Sequence, residues 1–145
     1  FKGLVHDMIA GPGENYLLAM YGVSHQEEHT KPDYTVFPMQ GYLSPGPIMP
    51  YSASSGCYWG QCAFCPERAE RNPYRLVSAD RVISDLYTLT DDTEPVLLHL
   101  LDNALSPLLL KSIAEASFGV PWYGFARISS HLTDMDFCMA LKRSG

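Results

Sequence analysis

Residues 48–66 read Ile48-Met49-Pro50-Tyr51-Ser52-Ala53-Ser54-Ser55-Gly56-Cys57-Tyr58-Trp59-Gly60-Gln61-Cys62-Ala63-Phe64-Cys65-Pro66. Ile48 to Ser54 has the length and apolar content of a short strand. It runs into Ser55-Gly56 and then into a loop whose cysteines are spaced C-x4-C-x2-C. A disulfide framework spreads its cysteines across loops, whereas Cys57, Cys62 and Cys65 are clustered. Such clustering reads as a metal site in a reducing compartment, so the expected location is cytoplasmic. Thiolates are soft ligands that select zinc, copper(I) or iron–sulfur clusters. A structural zinc site wants four ligands, usually as two Cys/His pairs, and only three are local. His99 or Cys138 could complete a set of four, yet neither belongs to a paired motif. Three local thiolates suit a four-iron cluster, with its fourth iron left for a small-molecule ligand. A ferredoxin normally supplies a fourth cysteine. Zinc and plain packing of the thiols remain as alternatives. Cys138 lies mid-helix among apolar neighbours and reads as core.

Downstream, hydrophobic spacing gives three helices and two more strands. Ser78 is placed to cap a helix from about Ala79 to Leu89, whose Val82, Ile83, Leu86 and Leu89 fall near one face. Val96 to Leu101 is an apolar run of strand length, expected to be buried on both faces. Ser106-Pro107 starts a helix through Ile113 and Ala116 to Phe118, with Gly119 placed to end it. Trp122 to Ile128 reads as a third strand. Thr133 and Asp136 fit a capping-box-like start for a final helix that includes Phe137, Met139 and Leu141. Strand, helix, strand, helix, strand, helix implies a parallel sheet with helices packed on it. The chemistry of such folds sits at the C-terminal strand ends. There the cysteine loop, Asp102-Asn103, and Arg127 with Ser129-Ser130 converge.

Upstream the pattern is different. Leu4 and Val5 close a short strand, and a turn from Gly11 to Glu14 opens an apolar helix through Leu17, Leu18 and Tyr21. Residues 23–47 are rich in His, Glu, Pro and Gly and read as a connector. The expected division is 1–47 as the end of an upstream domain plus connector, and 48–145 as the N-terminal half of a catalytic core. The chain begins at Phe1, so it reads as a processed or trimmed piece. His6, His25 and His29 show no ligand spacing. Arg68, Arg71 and Arg75 alternate with Glu67 and Glu70, as in a solvated, self-paired segment. A formal net charge of -6 argues against a nucleic-acid partner held by a broad basic surface. No stretch approaches the ~18 uninterrupted apolar residues of a membrane helix.

The stretch Tyr51 to Cys65 resembles the cluster loop of the radical S-adenosylmethionine (SAM) superfamily. The loop follows the first strand, as in that family. The resemblance covers roughly residues 42–145. It implies a [4Fe–4S] cluster on Cys57, Cys62 and Cys65, with the open iron chelating the amino and carboxylate groups of SAM. One electron then cleaves the S–C5′ bond, and the 5′-deoxyadenosyl radical takes hydrogen from a small-molecule or peptide substrate. An electron donor such as flavodoxin or ferredoxin is implied as partner. The fold implied is α/β, a partial (β/α) TIM-type barrel with about three of its six parallel β/α units, preceded by an irregular N-terminal segment. Half a barrel would leave a sheet edge unpaired, so the C-terminal half is expected to be missing.

Phe64 stands where the family favours an aromatic residue near the adenine; ordinary packing is the other reading. Asp102 and Asn103 stand where many members carry Gly-Gly-Glu. They read as contacts to the SAM amino group or ribose, or else as an Asx turn before a helix. Arg127 reads as a ligand contact or a strand-end salt bridge. No catalytic residue is assigned. The commonest family spacing is C-x3-C-x2-C, and Gly60 would let the longer first gap fold back. The wording at 56–60 and 102–107, with the Gly11-Pro12-Gly13-Glu14 turn, is similar to members that carry an upstream cobalamin-binding domain. Cobalamin would then be a further cofactor, although the Asp-x-His-x-x-Gly pattern that ligates it is absent. The alternatives are an iron–sulfur electron-transfer or cluster-binding module without SAM chemistry, and a structural zinc domain.

Overall fold

The structure is a computed structural model, and it describes residues 3–9, 13–24, 29–70 and 72–145. The chain divides into two compact units, Phe1–Thr30 and Lys31–Gly145. In the first, helix α1 spans Glu14–Met20 and buries no residue. Tyr16 donates a hydrogen bond to Asp7 Oδ2 at 2.7 Å. The strand expected at Leu4 and Val5 is a turn followed by an isolated bridge at Val5. Gly11 and Pro12 of the expected turn lie outside the described residues, as do His25 and Arg71.

In the second unit the elements run β1 (Ile48–Tyr51), β2 (Ser54–Ser55), α2 (Pro66–Glu70), β3 (Arg75–Leu76), α3 (Ala79–Thr93), β4 (Leu97–Leu105), α4 (Pro107–Glu115), β5 (Trp122–Ala126) and α5 (Met135–Ser144). Strands β1, β4 and β5 form a parallel sheet in that spatial order. The fold is therefore mixed α/β, with each parallel strand added beside the last. Right-handed crossovers between such strands put their helices on one face. Packing agrees: Met49, Tyr51, Leu98 and Leu100 form one cluster with Val82, Leu86 and Leu89 of α3 and Leu109, Leu110 and Ile113 of α4. Phe137 and Leu141 of α5 join its margin. Each fully buried Leu contributes about 1.5–3 kcal/mol.

The other sheet face is open, which corrects the expectation of burial on both faces. Leu101 is 48% exposed, Tyr123 44% and Phe125 64%. Across this face His99 stacks on Tyr123, the ring centroids 4.1 Å apart and the planes 16° from parallel.

Residues 31–47 carry no regular structure beyond a 3-10 turn at Met39–Gly41, yet they belong to the second unit and pack on the rest of it. Tyr34 donates to the Pro50 carbonyl at 2.6 Å, and Lys31 pairs with Asp92 at 2.8 Å. Tyr34 thus caps a backbone acceptor of β1, an edge strand. Beneath it lies a cavity of about 330 Å³ lined by Tyr34, Phe37, Met39, Tyr42 and Ile48.

Several boundaries shift, each for a local reason. Helix α3 runs to Thr93, past Leu89, and stops where Glu94 turns left-handed (φ 44°) ahead of Pro95. Ser106 caps α4 as expected, accepting from Leu109 N at 3.2 Å, but α4 ends at Glu115, short of Phe118. Strand β5 ends at Ala126 rather than Ile128. Asp134, not Thr133, caps α5, accepting from Asp136 N and Phe137 N; Thr133 instead bonds back to Ser130 O at 2.7 Å. Among the described residues no helix is long and apolar enough to cross a membrane.

A buried polar network ties β1 to α3. Tyr51 donates to Asp85 Oδ2 at 2.9 Å, and Arg81 Nε donates to Asp85 Oδ1 at 2.9 Å. Burial raises the Tyr51 hydroxyl well above its ordinary range, and the Asp85 hydrogen bond adds to the rise. The raised value makes the folded state hold its proton longer than the unfolded chain. The network's contribution is therefore complete below the ordinary tyrosine value near pH 10 and is lost above it. Tyr51→Phe is expected to cost about 1 kcal/mol at pH 8 and to flatten the alkaline loss. Urea unfolding at pH 8 and above pH 10 checks both, and an unchanged alkaline slope in the variant would refute the assignment.

Candidate functional site

The cysteines sit on an excursion with a closed base. Strands β2 and β3 pair antiparallel, Ser54 opposite Leu76 and Ser55 opposite Arg75, and Val77 N donates to Ala53 O at 3.0 Å. The single strand expected from Ile48 to Ser54 is thus divided: β1 ends at Tyr51, and Ser54 belongs to the ribbon. The ribbon holds residues 56–74 as a closed loop that begins just beyond the C-terminal end of β1. Gly56 is needed at its base. Its φ is +71°, and a Cβ there would lie 2.7 Å from the Pro73 carbonyl oxygen. Gly60 has φ +56°, the left-handed turn expected for the longer first gap.

Within the loop Cys65 N donates to Cys62 O at 3.2 Å, which folds the C-x2-C half into a turn leading to α2. Cys57, Cys62 and Cys65 are free thiols, each half-buried. Among the described residues no three Cys, His, Asp or Glu side chains are gathered closely enough to hold a metal ion. Three thiols on one loop are the donor chemistry that soft metals take. Phe64 is 91% exposed and stands clear of the fold. Cys138 is on α5, its Sγ 3.4 Å from Leu132 O, and His99 is stacked on the open sheet face.

Groups from two other strand ends reach this loop. The expectation that Asp102 and Asn103 follow the second strand is corrected: both lie inside β4. Register between β4 and β5 jumps from Leu100–Gly124 to Leu105–Ala126, so residues 101–104 bulge. A bulge redirects side chains, often beside a functional site. Asp102 is 3% exposed. One of its oxygens accepts from Ala53 N at 3.0 Å and the other from the Ser54 hydroxyl. Asn103 Nδ2 donates to Gly56 O at 3.3 Å and to Glu67 Oε1 at 3.1 Å. The carboxylate thus fixes the chain entering the loop, and the amide fixes its base to α2.

Arg127 follows the end of β5, and its guanidinium carbon lies 3.2 Å from the centroid of the Trp59 ring. Of the two readings of Arg127, ligand contact or strand-end salt bridge, no salt bridge forms among the described residues, and the side chain makes a cation–π contact instead. Arg68 donates to Gln61 O at 3.1 Å, while Glu67 and Glu70 accept from Asn72. Tyr58 meets Tyr74 edge-on at 6.2 Å, and the buried Tyr74 hydroxyl has no hydrogen-bond partner among the described residues. The structure therefore brings the cysteine loop, Asp102, Asn103 and Arg127 to one end of the sheet and leaves Phe64 outside. Trp59, Ser54 and Glu67 were missed. Trp59 and Arg127 are 68 positions apart, and only the strand order reveals that they meet.

Comparison with known protein families, characterised proteins and solved structures finds no match for this chain.

Proposed function

We propose that the chain carries a [4Fe–4S] cluster on Cys57, Cys62 and Cys65 and is the first half of a radical SAM barrel. The observation that carries the reading is the C-x4-C-x2-C loop standing beyond the C-terminal end of the first strand of a parallel sheet. The monotonic order β1, β4, β5 and the packing of α3, α4 and α5 into one cluster with the sheet support a barrel wall over a doubly wound sheet. The open face, with Leu101, Tyr123 and Phe125, is then the face a closed barrel would turn inward. This division takes the core from residue 48 onward and 1–47 as upstream chain.

When bound, the cluster supplies the single electron that cleaves the S–C5′ bond of SAM. The chain's own residues have simpler tasks. Each thiolate holds one iron, leaving the fourth for SAM. Asp102 and Asn103 hold the loop entrance, and Phe64, free in the loop, is available to cover an adenine. The role remaining to the protein is position and exclusion of water. The substrate lies among small molecules or peptides, with a flavodoxin or ferredoxin as electron source. Cobalamin enters only with an upstream domain.

Anaerobic reconstitution tests this. About four irons and four sulfides per chain are expected, and the electron paramagnetic resonance of the reduced protein should shift on adding SAM. A cluster blind to SAM would instead mark an electron-transfer module, and zinc in place of iron a structural site; either result overturns the proposal.

A further inference from the structure

Arg127 is the one described cation that the end of a parallel strand delivers onto a ring of the cysteine loop. Among the described residues, Tyr58 leans edge-on against Tyr74 at the start of the loop's first gap. Asn103 and the β2–β3 ribbon hold its base, and Arg68 holds Gln61. The first gap, Tyr58 to Gln61, is the long one and contains the left-handed Gly60. Trp59 lies in that gap, half-buried, and a planar guanidinium stacks well on an indole face.

We infer that Arg127 is a positioning residue for the cysteine loop: seated on Trp59, it pins the Cys57–Cys62 gap to the end of β5 and places a permanent cation on the loop that carries the three thiols. The contact is one that a guanidinium keeps at every physiological pH, because Arg does not lose its proton. Two consequences follow. Pinning narrows the conformations the longer gap must search before its thiols can gather. The fixed charge also favours whatever state of the loop is more negative, which includes a reduced cluster over an oxidised one. The second consequence rests on the proposed function, and the first does not.

The test uses the full chain with Arg127→Met, Arg127→Lys, Trp59→Leu and the Arg127→Met/Trp59→Leu double variant. Amide exchange across residues 57–65 is read by mass spectrometry before any metal is added. Arg127→Met is expected to speed that exchange about tenfold, a typical worth for a partly desolvated cation–π contact. Exchange in β4 should stay unchanged and so report that the fold is intact. Arg127→Lys should recover part of the protection, since it keeps the charge but loses the flat stack. The double variant should be no worse than either single one, as for partners in one contact. Unchanged exchange in Arg127→Met, or additive effects in the double variant, would overturn the inference. Should Arg127→Met also loosen β4, the Trp59→Leu and Arg127→Lys chains decide the matter by the same reading.

After reconstitution, Arg127→Met should lower the midpoint potential of the cluster, while Arg127→Lys keeps it near that of the parent. Equal potentials in all three would remove the electrostatic half of the inference. If the parent chain takes no iron, the proposed function fails while the exchange result still stands or falls alone.

Discussion

Replacing any one of Cys57, Cys62 or Cys65 by serine is expected to drop the iron content from about four to less than about one per chain, and Cys138→Ser to leave it unchanged. The asymmetry comes from placement. The first three lie on a single loop whose ends are joined by the β2–β3 ribbon, which shortens the search that brings them together. Cys138 lies on α5, its thiol 3.4 Å from Leu132 O, where a serine hydroxyl can make the same bond. A hydroxyl in place of a thiolate is a hard ligand that stays protonated at neutral pH, so the loss at each loop position should exceed the 10–100-fold typical of a second-layer change. Iron analysis and the sulfur-to-iron absorption band of the reconstituted variants measure it. Full iron in Cys57→Ser would be the damaging result. Cys57 stands on the far side of the long gap, and its dispensability would reduce the site to the Cys62–Cys65 turn.

How much of this was legible beforehand differs from element to element. The alternation of strand and helix, and the cap at Ser106, follow from apolar spacing and from N-cap chemistry, and the structure carries both. Spacing could not find β2 and β3, because two-residue strands are shorter than any period. It ended the second strand at Leu101 for a sound reason: Asp102 and Asn103 disfavour strands. Tertiary context overrides that preference, since the Asp102 carboxylate meets donors from the neighbouring strand's extension and the bulge takes up the irregularity. Val96 to Leu101 reads as buried on both faces because composition does not say whether a sheet is covered on one side or two. At the site, sequence identified the loop and the residues at the other strand ends, but not what they touch. Arg127 reads as a ligand contact or one half of an ion pair; the structure sets it on a ring.

Asp102→Ala is expected to be the most destabilising polar substitution near the site, by about 3 kcal/mol, or roughly 9 °C in Tm for a chain of this size. Hydrogen bonds to a charged group contribute about 1.5–3 kcal/mol each, and a buried donor left unmatched loses its desolvation in full. Ala53 is fully buried, so its N–H has no water to turn to when the carboxylate goes. Ser54→Ala, which removes only the other donor, should cost about 1 kcal/mol. Asp102→Asn should rescue little, because one of its two arms would present N–H groups to a donor. Thermal unfolding of the three variants provides the comparison. Its interest is functional, since the family resemblance offers Asp102 as a contact for the amino group or ribose of SAM. Both of its oxygens are already engaged by the chain, and that engagement fixes the strand that feeds the cysteine loop. If Asp102→Ala instead unfolds within about 1 kcal/mol of the parent while SAM binding is lost, the carboxylate serves the ligand, and the two donors are merely its resting partners. If stability falls as expected, the loop entrance depends on Asp102, and any loss of SAM binding in that variant must be read through the loop.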